Sequence, residues 1–154
     1  MYKHIHTEFN VPEDFTMPKI KILAVAPYDG MADAISAIAM TRDDIQMTVQ
    51  TGDLDTGRKI ALELAHNNYD VIISRGGTAE LIRSTVELPV IDIPISVYDV
   101  LRTIKLAESY SGKFVIAGFP SITNCSKLLC DLLQYDIDII TFTNETDAMP
   151  SLKR

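Results

Sequence analysis

Asp70-Val71-Ile72-Ile73-Ser74-Arg75-Gly76-Gly77-Thr78 carries a short apolar run directly into a glycine pair and a helix start. A strand that is apolar on successive residues, not alternate ones, is buried on both faces, as in a parallel sheet covered by helices. Upstream, Lys19-Ile20-Lys21-Ile22-Leu23-Ala24-Val25-Ala26 has the same character in its second half and stops at Pro27-Tyr28-Asp29-Gly30. Between the two, Met31, Ala34, Ile35 and Ile38 recur at helical spacing, with Asp29 placed to cap that helix. A strand at Ile45 to Gln50 and a helix from about Asp55 to Asn67 complete a βαβαβ unit.

Downstream the alternation continues. The pattern predicts a helix at Thr78 to Ser84, a strand at Pro89 to Ile93, a helix at Val97 to Ser109 and a strand at Lys113 to Ala117. A helix at about Ile122 to Leu133 and a strand at Ile137 to Thr143 follow. Strands alternating with helices of this length imply parallel sheets joined by right-handed crossovers. Residues 1–18 lack periodicity and read as an arm, and residues 145–154 read as a polar tail. No internal repeat or low-complexity tract is evident.

Composition bounds the function. The chain has 154 residues, 47% of them hydrophobic, enough for one compact domain or two small lobes. Its net charge of −7 is unfavourable for coating a phosphate backbone, since such affinity comes from lysine and arginine displacing counterions; no direct nucleic-acid contact is expected. No apolar run approaches the roughly 20 residues that span a bilayer, and Met1-Tyr2-Lys3-His4-Ile5-His6 lacks a secretory signal's apolar centre. A soluble, cytoplasmic protein without membrane contact is expected. Cys125 and Cys130 lie five apart in a predicted helix and project in different directions, so reduced, buried thiols are expected.

In open parallel sheets, ligands bind beyond the carboxyl ends of the strands, where loops enter helix N-termini. The loops so placed are Pro27-Tyr28-Asp29-Gly30, Thr51-Gly52-Asp53, Ser74 to Thr78, Pro94-Ile95-Ser96 and Gly118 to Asn124. In Ser74 to Thr78 the two glycines let backbone approach a ligand, and helix-start amides attract an anion. Arg75 supplies a fork suited to a carboxylate or phosphate, with the Ser74 and Thr78 hydroxyls beside it. The structural alternative is a tight turn with Thr78 as N-cap and Arg75 in solvent. Neither a P-loop nor a dinucleotide fingerprint is present, and no cofactor is implied. Ser121, Thr123 and Asn124 can cap a helix or meet a ligand's oxygens. Asp29 and Asp99 stand near helix starts, where the dipole favours a carboxylate whatever its role. His4 and His6 have alternate spacing but no third ligand nearby, so no metal site is expected. His66 reads as a helix-end residue.

Tyr69 to Ala79, followed by Leu88-Pro89-Val90-Ile91-Asp92-Ile93-Pro94-Ile95-Ser96-Val97-Tyr98-Asp99-Val100-Leu101-Arg102, resembles the N-terminal sensor domain of propionate-catabolism (PrpR-type) activators. Ile22 to Tyr28 and Lys113 to Phe119 fall at that family's first and fifth strands, so the resemblance covers about residues 19–143. It implies an α/β fold of parallel sheets with flanking helices, two-lobed and related to chelatase-like and periplasmic-binding-like architectures, with an effector in the cleft. The first lobe would run over 19–93 and the second over 94–144. Ser74, Arg75, Gly76, Gly77 and Thr78 occupy the family's most recognisable motif, and Ser96 with Asp99 the crossover between lobes. With Pro27, Tyr28, Asp29, Ser121 and Asn124, these make up the expected ligand-binding set.

The resemblance further implies a sensor, not an enzyme, for a small organic acid, 2-methylcitrate in the type members. Such a domain governs an AAA+ ATPase acting on sigma-54 polymerase and a helix-turn-helix DNA-binding domain in a longer regulator. The second lobe ends early, at Ile137 to Thr143, which leaves its edge to be covered either by further chain or by a partner subunit in a homodimer. A racemase- or chelatase-like enzyme acting on a small carboxylate is the competing reading, although a two-thiol racemase needs a cysteine in each lobe. A phosphoacceptor receiver domain would need an aspartate where Ser74 stands.

Overall fold

The computed structural model describes residues 18–144 and Thr146. The arm up to residue 17, with His4 and His6, and nearly all of the tail lie outside the described residues. Along the chain run β1 (Ile20–Ala26), α1 (Asp29–Ala39), β2 (Ile45–Thr51), α2 (Leu54–Leu64), β3 (Val71–Arg75) and α3 (Gly76–Arg83). They are followed by β4 (Val90–Ile93), α4 (Val97–Ala107), β5 (Val115–Gly118), α5 (Pro120–Leu133) and β6 (Asp138–Thr141). The fold is α/β, with every described strand pair parallel.

The first four strands form one sheet in the order β2-β1-β3-β4, and β5 pairs with β6 in a second. β1 is central, pairing with β2 from Ile20↔Ile45 to Ala26↔Thr51 and with β3 at Ile22↔Val71. That position explains its composition: Leu23, Ala24, Val25 and Ala26 are fully buried, as a strand covered on both faces must be. Leu23, Val25 and Ile72 pack against Ala61 of α2 and Ile82 of α3, with Ile60, Leu64 and Val90 around them. Side chains alternate across a strand, so Leu23 and Val25 share the face that α2 and α3 cover.

A separate core joins α4, α5 and the second sheet: Val100, Ile104, Leu129 and Cys130, flanked by Ile116, Ile137 and Ile139. The two assemblies meet where α3 packs on α5. A Cβ built on Gly77 would stand 2.5 Å from the Phe119 ring, so only glycine permits that approach. Glu80 Oε1 accepts from the Ser121 amide at 2.8 Å across the same seam.

Three helix starts differ from the sequence expectation, among them α5, which begins at Pro120 with Phe119 as its N-cap, so that Ser121, Thr123 and Asn124 lie inside the helix and none caps it. α3 begins at Gly76, not Thr78, because Gly76 takes φ +58°, a conformation glycine adopts without a side-chain clash, and turns the chain into the helix early. Thr78 is therefore inside the helix and not its cap. α1 has Tyr28 as its N-cap and Asp29 as its first residue, with no side-chain cap hydrogen bond. Asp29 suits the helix dipole but does not cap. α2 ends at Leu64, short of His66 and Asn67, and Asn68 takes φ +57°.

Candidate functional site

The carboxyl ends of β1, β2 and β3 and the starts of α4 and α5 surround a cavity of about 640 Å³, within the range of small-ligand sites. Its wall from the four-stranded sheet includes Pro27, Tyr28, Asp53, Leu54, Arg75 and Thr78. The facing wall is apolar and includes Ile95, Ile104, Ile116, Phe119, Ile122 and Phe142. Phe119 and Phe142 meet edge to face with ring centres 5.1 Å apart, which gives that wall a rigid aromatic base.

Arg75 is the last residue of β3 and faces the cavity. Its Nη1 donates to the Tyr28 hydroxyl at 3.4 Å, and its Nη2 stands 3.9 Å from Asp99 Oδ2 on α4. Both contacts are long for charge-assisted bonds, which run nearer 2.7–2.9 Å, so the fork is oriented but not saturated. Asp99 and Thr103 reach the cavity from successive turns of α4.

The remaining expected residues divide clearly. Pro27, Tyr28, Arg75, Gly77, Thr78 and Asp99 line the cavity. Thr78 Oγ1 accepts from the Leu54 amide at 2.9 Å and so also holds the α2 start, where Leu54 sits at φ +37°, a strained conformation for a non-glycine residue. Ser74, Gly76, Asp29, Ser96, Ser121 and Asn124 are not among the lining residues. Ser74 is fully buried and its Oγ donates to the Val25 carbonyl at 2.7 Å, so its hydroxyl ties β3 to β1. The Gly76 amide is taken by Asp92 Oδ1 at 3.0 Å, which removes one of the helix-start donors expected for a ligand. Ser96 caps α4, its Oγ accepting from the Tyr98 amide. Asn124 is exposed on α5, with Pro120 at the first turn of that helix, where a missing N–H costs nothing. Ser121 Oγ is buried without a partner among the described residues.

The sequence placed Ile95, Phe119 and Ile122 in loops at the binding end, but neither they nor Asp53 entered the expected ligand-binding set, and Ile104, Ile116 and Phe142 were not singled out. Asp53 had a readable signal, since its loop follows β2 as the Arg75 loop follows β3. The helix and strand part of the apolar wall had none, because Ile104 or Ile116 reads as ordinary core until the second sheet is placed opposite the first.

The model of the family described as "Propionate catabolism activator" matches residues 41–154, well over half of the chain. The chain belongs to that family. Membership places it among the N-terminal sensor domains of transcriptional activators. The match takes in Arg75, the glycine pair, α4 and the apolar wall, and so covers most of the cavity. Among solved structures, an NtrC-family transcriptional regulator from Clostridium acetobutylicum has the same fold at a TM-score of 0.66 and 23% identity. The alignment covers 84% of this chain and 68% of that one. Comparison with the curated proteins finds no match.

Two further facts constrain the chemistry. Cys125 and Cys130 both belong to α5 and pack in the second core, and neither lines the cavity. Burial, and secondarily the charge of Asp131, push the Cys130 thiol up, away from the thiolate that a cysteine nucleophile needs. No group of His, Cys, Asp and Glu among the described residues could hold a metal ion, and no described helix is long and apolar enough to cross a membrane.

Proposed function

We propose that this propionate-activator family domain binds a small organic acid in the cavity between its two sheets and passes the occupancy on to an AAA+ domain of a sigma-54-dependent regulator. The observation that carries the reading is the placement of Arg75: an unsaturated guanidinium at a strand's carboxyl end, facing a cavity whose other wall belongs to a separate core. Residues 19–93 and 94–144 act as two lobes, and a carboxylate held by Arg75 while its body touches the α4–α5 wall bonds to both. Such a ligand has its highest affinity for the closed arrangement and draws the population there by that difference alone. The closed arrangement presents a different surface to the neighbouring domain, and DNA contact belongs to another part of the regulator. The work is binding, not catalysis, and the setting is the cytoplasm.

A thermal-shift screen against small carboxylates tests this directly, since a ligand selective for the native state raises its stability by mass action. At least one acid raises the midpoint of the wild-type chain, and Arg75→Ala abolishes the shift. A hit that stabilises Arg75→Ala as strongly as wild type removes the assignment.

A further inference from the structure

The charges around the cavity select among acids. Among the described lining residues Arg75 is the sole cation, whereas Asp53 and Asp99 each bring a carboxylate. One positive and two negative groups leave the lining at net −1, and Asp99 already stands beside the guanidinium. A ligand with several carboxylates finds one cationic partner here, and its remaining anionic groups meet Asp53, Asp99, neutral hydroxyls or hydrocarbon. Like charges at close range and unpaired anions against an apolar wall are both costly.

The opposite wall has the reverse preference. Ile95, Ile104, Ile116, Ile122, Phe119 and Phe142 offer branched aliphatic and aromatic surface, and the two hydroxyls among them, Thr103 and Ser126, each donate to their own helix, to the Asp99 carbonyl at 2.8 Å and the Ile122 carbonyl at 2.9 Å. The site is thus polarised: one fork at the strand end, and across the cleft a mostly apolar surface whose hydroxyls are turned to their own helices.

We infer that the ligand is a monocarboxylate with a hydrocarbon body, aliphatic or aromatic, and that Asp53 and Asp99 act as specificity residues excluding di- and tricarboxylates. This rests on the reading of Arg75 as a carboxylate site and narrows the class of acid that it takes. The carboxylate engages Arg75 and the Tyr28 hydroxyl, and displaces Asp99 as the partner of the guanidinium. The hydrocarbon body lies along the α4–α5 wall, so that burial of apolar surface pulls the two walls together.

Isothermal titration of the full chain with butanoate, hexanoate, octanoate, phenylacetate, hexanamide, adipate, citrate and 2-methylcitrate tests it. Hexanoate binds more tightly than butanoate, each added methylene contributing roughly a threefold to fourfold gain until the wall is covered. Adipate, which differs from hexanoate by a second carboxylate at the far end, binds on the order of tenfold or more weakly, as do citrate and 2-methylcitrate. Hexanamide and Arg75→Gln both lose on the order of tenfold. The double variant Asp53→Asn/Asp99→Asn narrows the gap between hexanoate and adipate. If citrate or 2-methylcitrate binds more tightly than every monocarboxylate, the inference is overturned while the Arg75 reading stands. If hexanamide matches hexanoate, or no acid binds, both are overturned.

Discussion

The guanidinium of Arg75, at the end of β3, stands 3.9 Å from the carboxylate of Asp99, in the first turn of α4. One partner comes from the four-stranded sheet and the other from the helix that packs with the two-stranded one. The side chains are 27% and 59% exposed, so solvent screens the pair and it contributes no more than about 1 kcal/mol. Asp99→Asn should therefore shift urea unfolding by less than that amount. The same change frees the fork, so hexanoate should bind more tightly to the variant. A loss of several kcal/mol in the unfolding curve would instead make the pair a structural clamp.

Ser74 lies one residue before Arg75 but serves the sheet. Its buried hydroxyl bonds the Val25 carbonyl at 2.7 Å, and a hydrogen bond of that kind contributes about 1 kcal/mol. Ser74→Ala should lower the denaturation midpoint by a corresponding amount and leave carboxylate affinity as it was. A large affinity loss at unchanged stability would place the hydroxyl on the ligand.

The strands were readable because burial on both faces leaves a short continuous apolar run, as in Leu23 to Ala26 and Val71 to Ile73, and the Pro27 and Gly76-Gly77 breaks that follow keep each run too short for a buried helix. Arg75 was readable for a similar local reason, as the cation beside a glycine pair at a strand end. What escaped was pairing at long range. Nothing near Thr78 announces the Leu54 amide, and nothing near Gly76 announces Asp92. These bonds converted expected ligand donors and acceptors into internal ones. The apolar wall was hidden for a different reason: its residues obey the same periodicity whether they face a core or a cleft.

The two cysteines should respond differently to alkylation. Cys130 is 5% exposed and its thiol is raised from the ordinary 9.0 by burial, whereas Cys125 is only partly buried. Iodoacetamide followed by mass spectrometry should label Cys125 in the native chain and Cys130 only on unfolding. The sign of the linkage follows from the raised value. Folding favours the neutral thiol, so its contribution is complete below pH 9.0 and is lost as pH climbs through the higher native value. Cys130→Ala should accordingly flatten the alkaline arm of the stability profile.

Two glycines at helix starts should give opposite results when changed to alanine. At Gly30 a new Cβ meets nothing nearer than the Tyr28 ring at 3.8 Å, and the gain in helix propensity is about 0.5–1 kcal/mol. At Gly77 it meets the Phe119 ring at 2.5 Å, and Phe119 is pinned by Phe142 and by its place at the N-cap of α5. Overpacking of that kind costs about 1–3 kcal/mol. The strain at Gly77 also acts on the seam between the two cores, since α3 can relieve it only by moving off α5 and so reshaping the cavity. Gly77→Ala should therefore weaken hexanoate binding as well as stability, and Phe119→Leu in the same chain should restore part of both. Measuring unfolding and binding on the three variants separates a general loss of folding, which would leave the affinity of the folded fraction unchanged, from a seam that sets the width of the site.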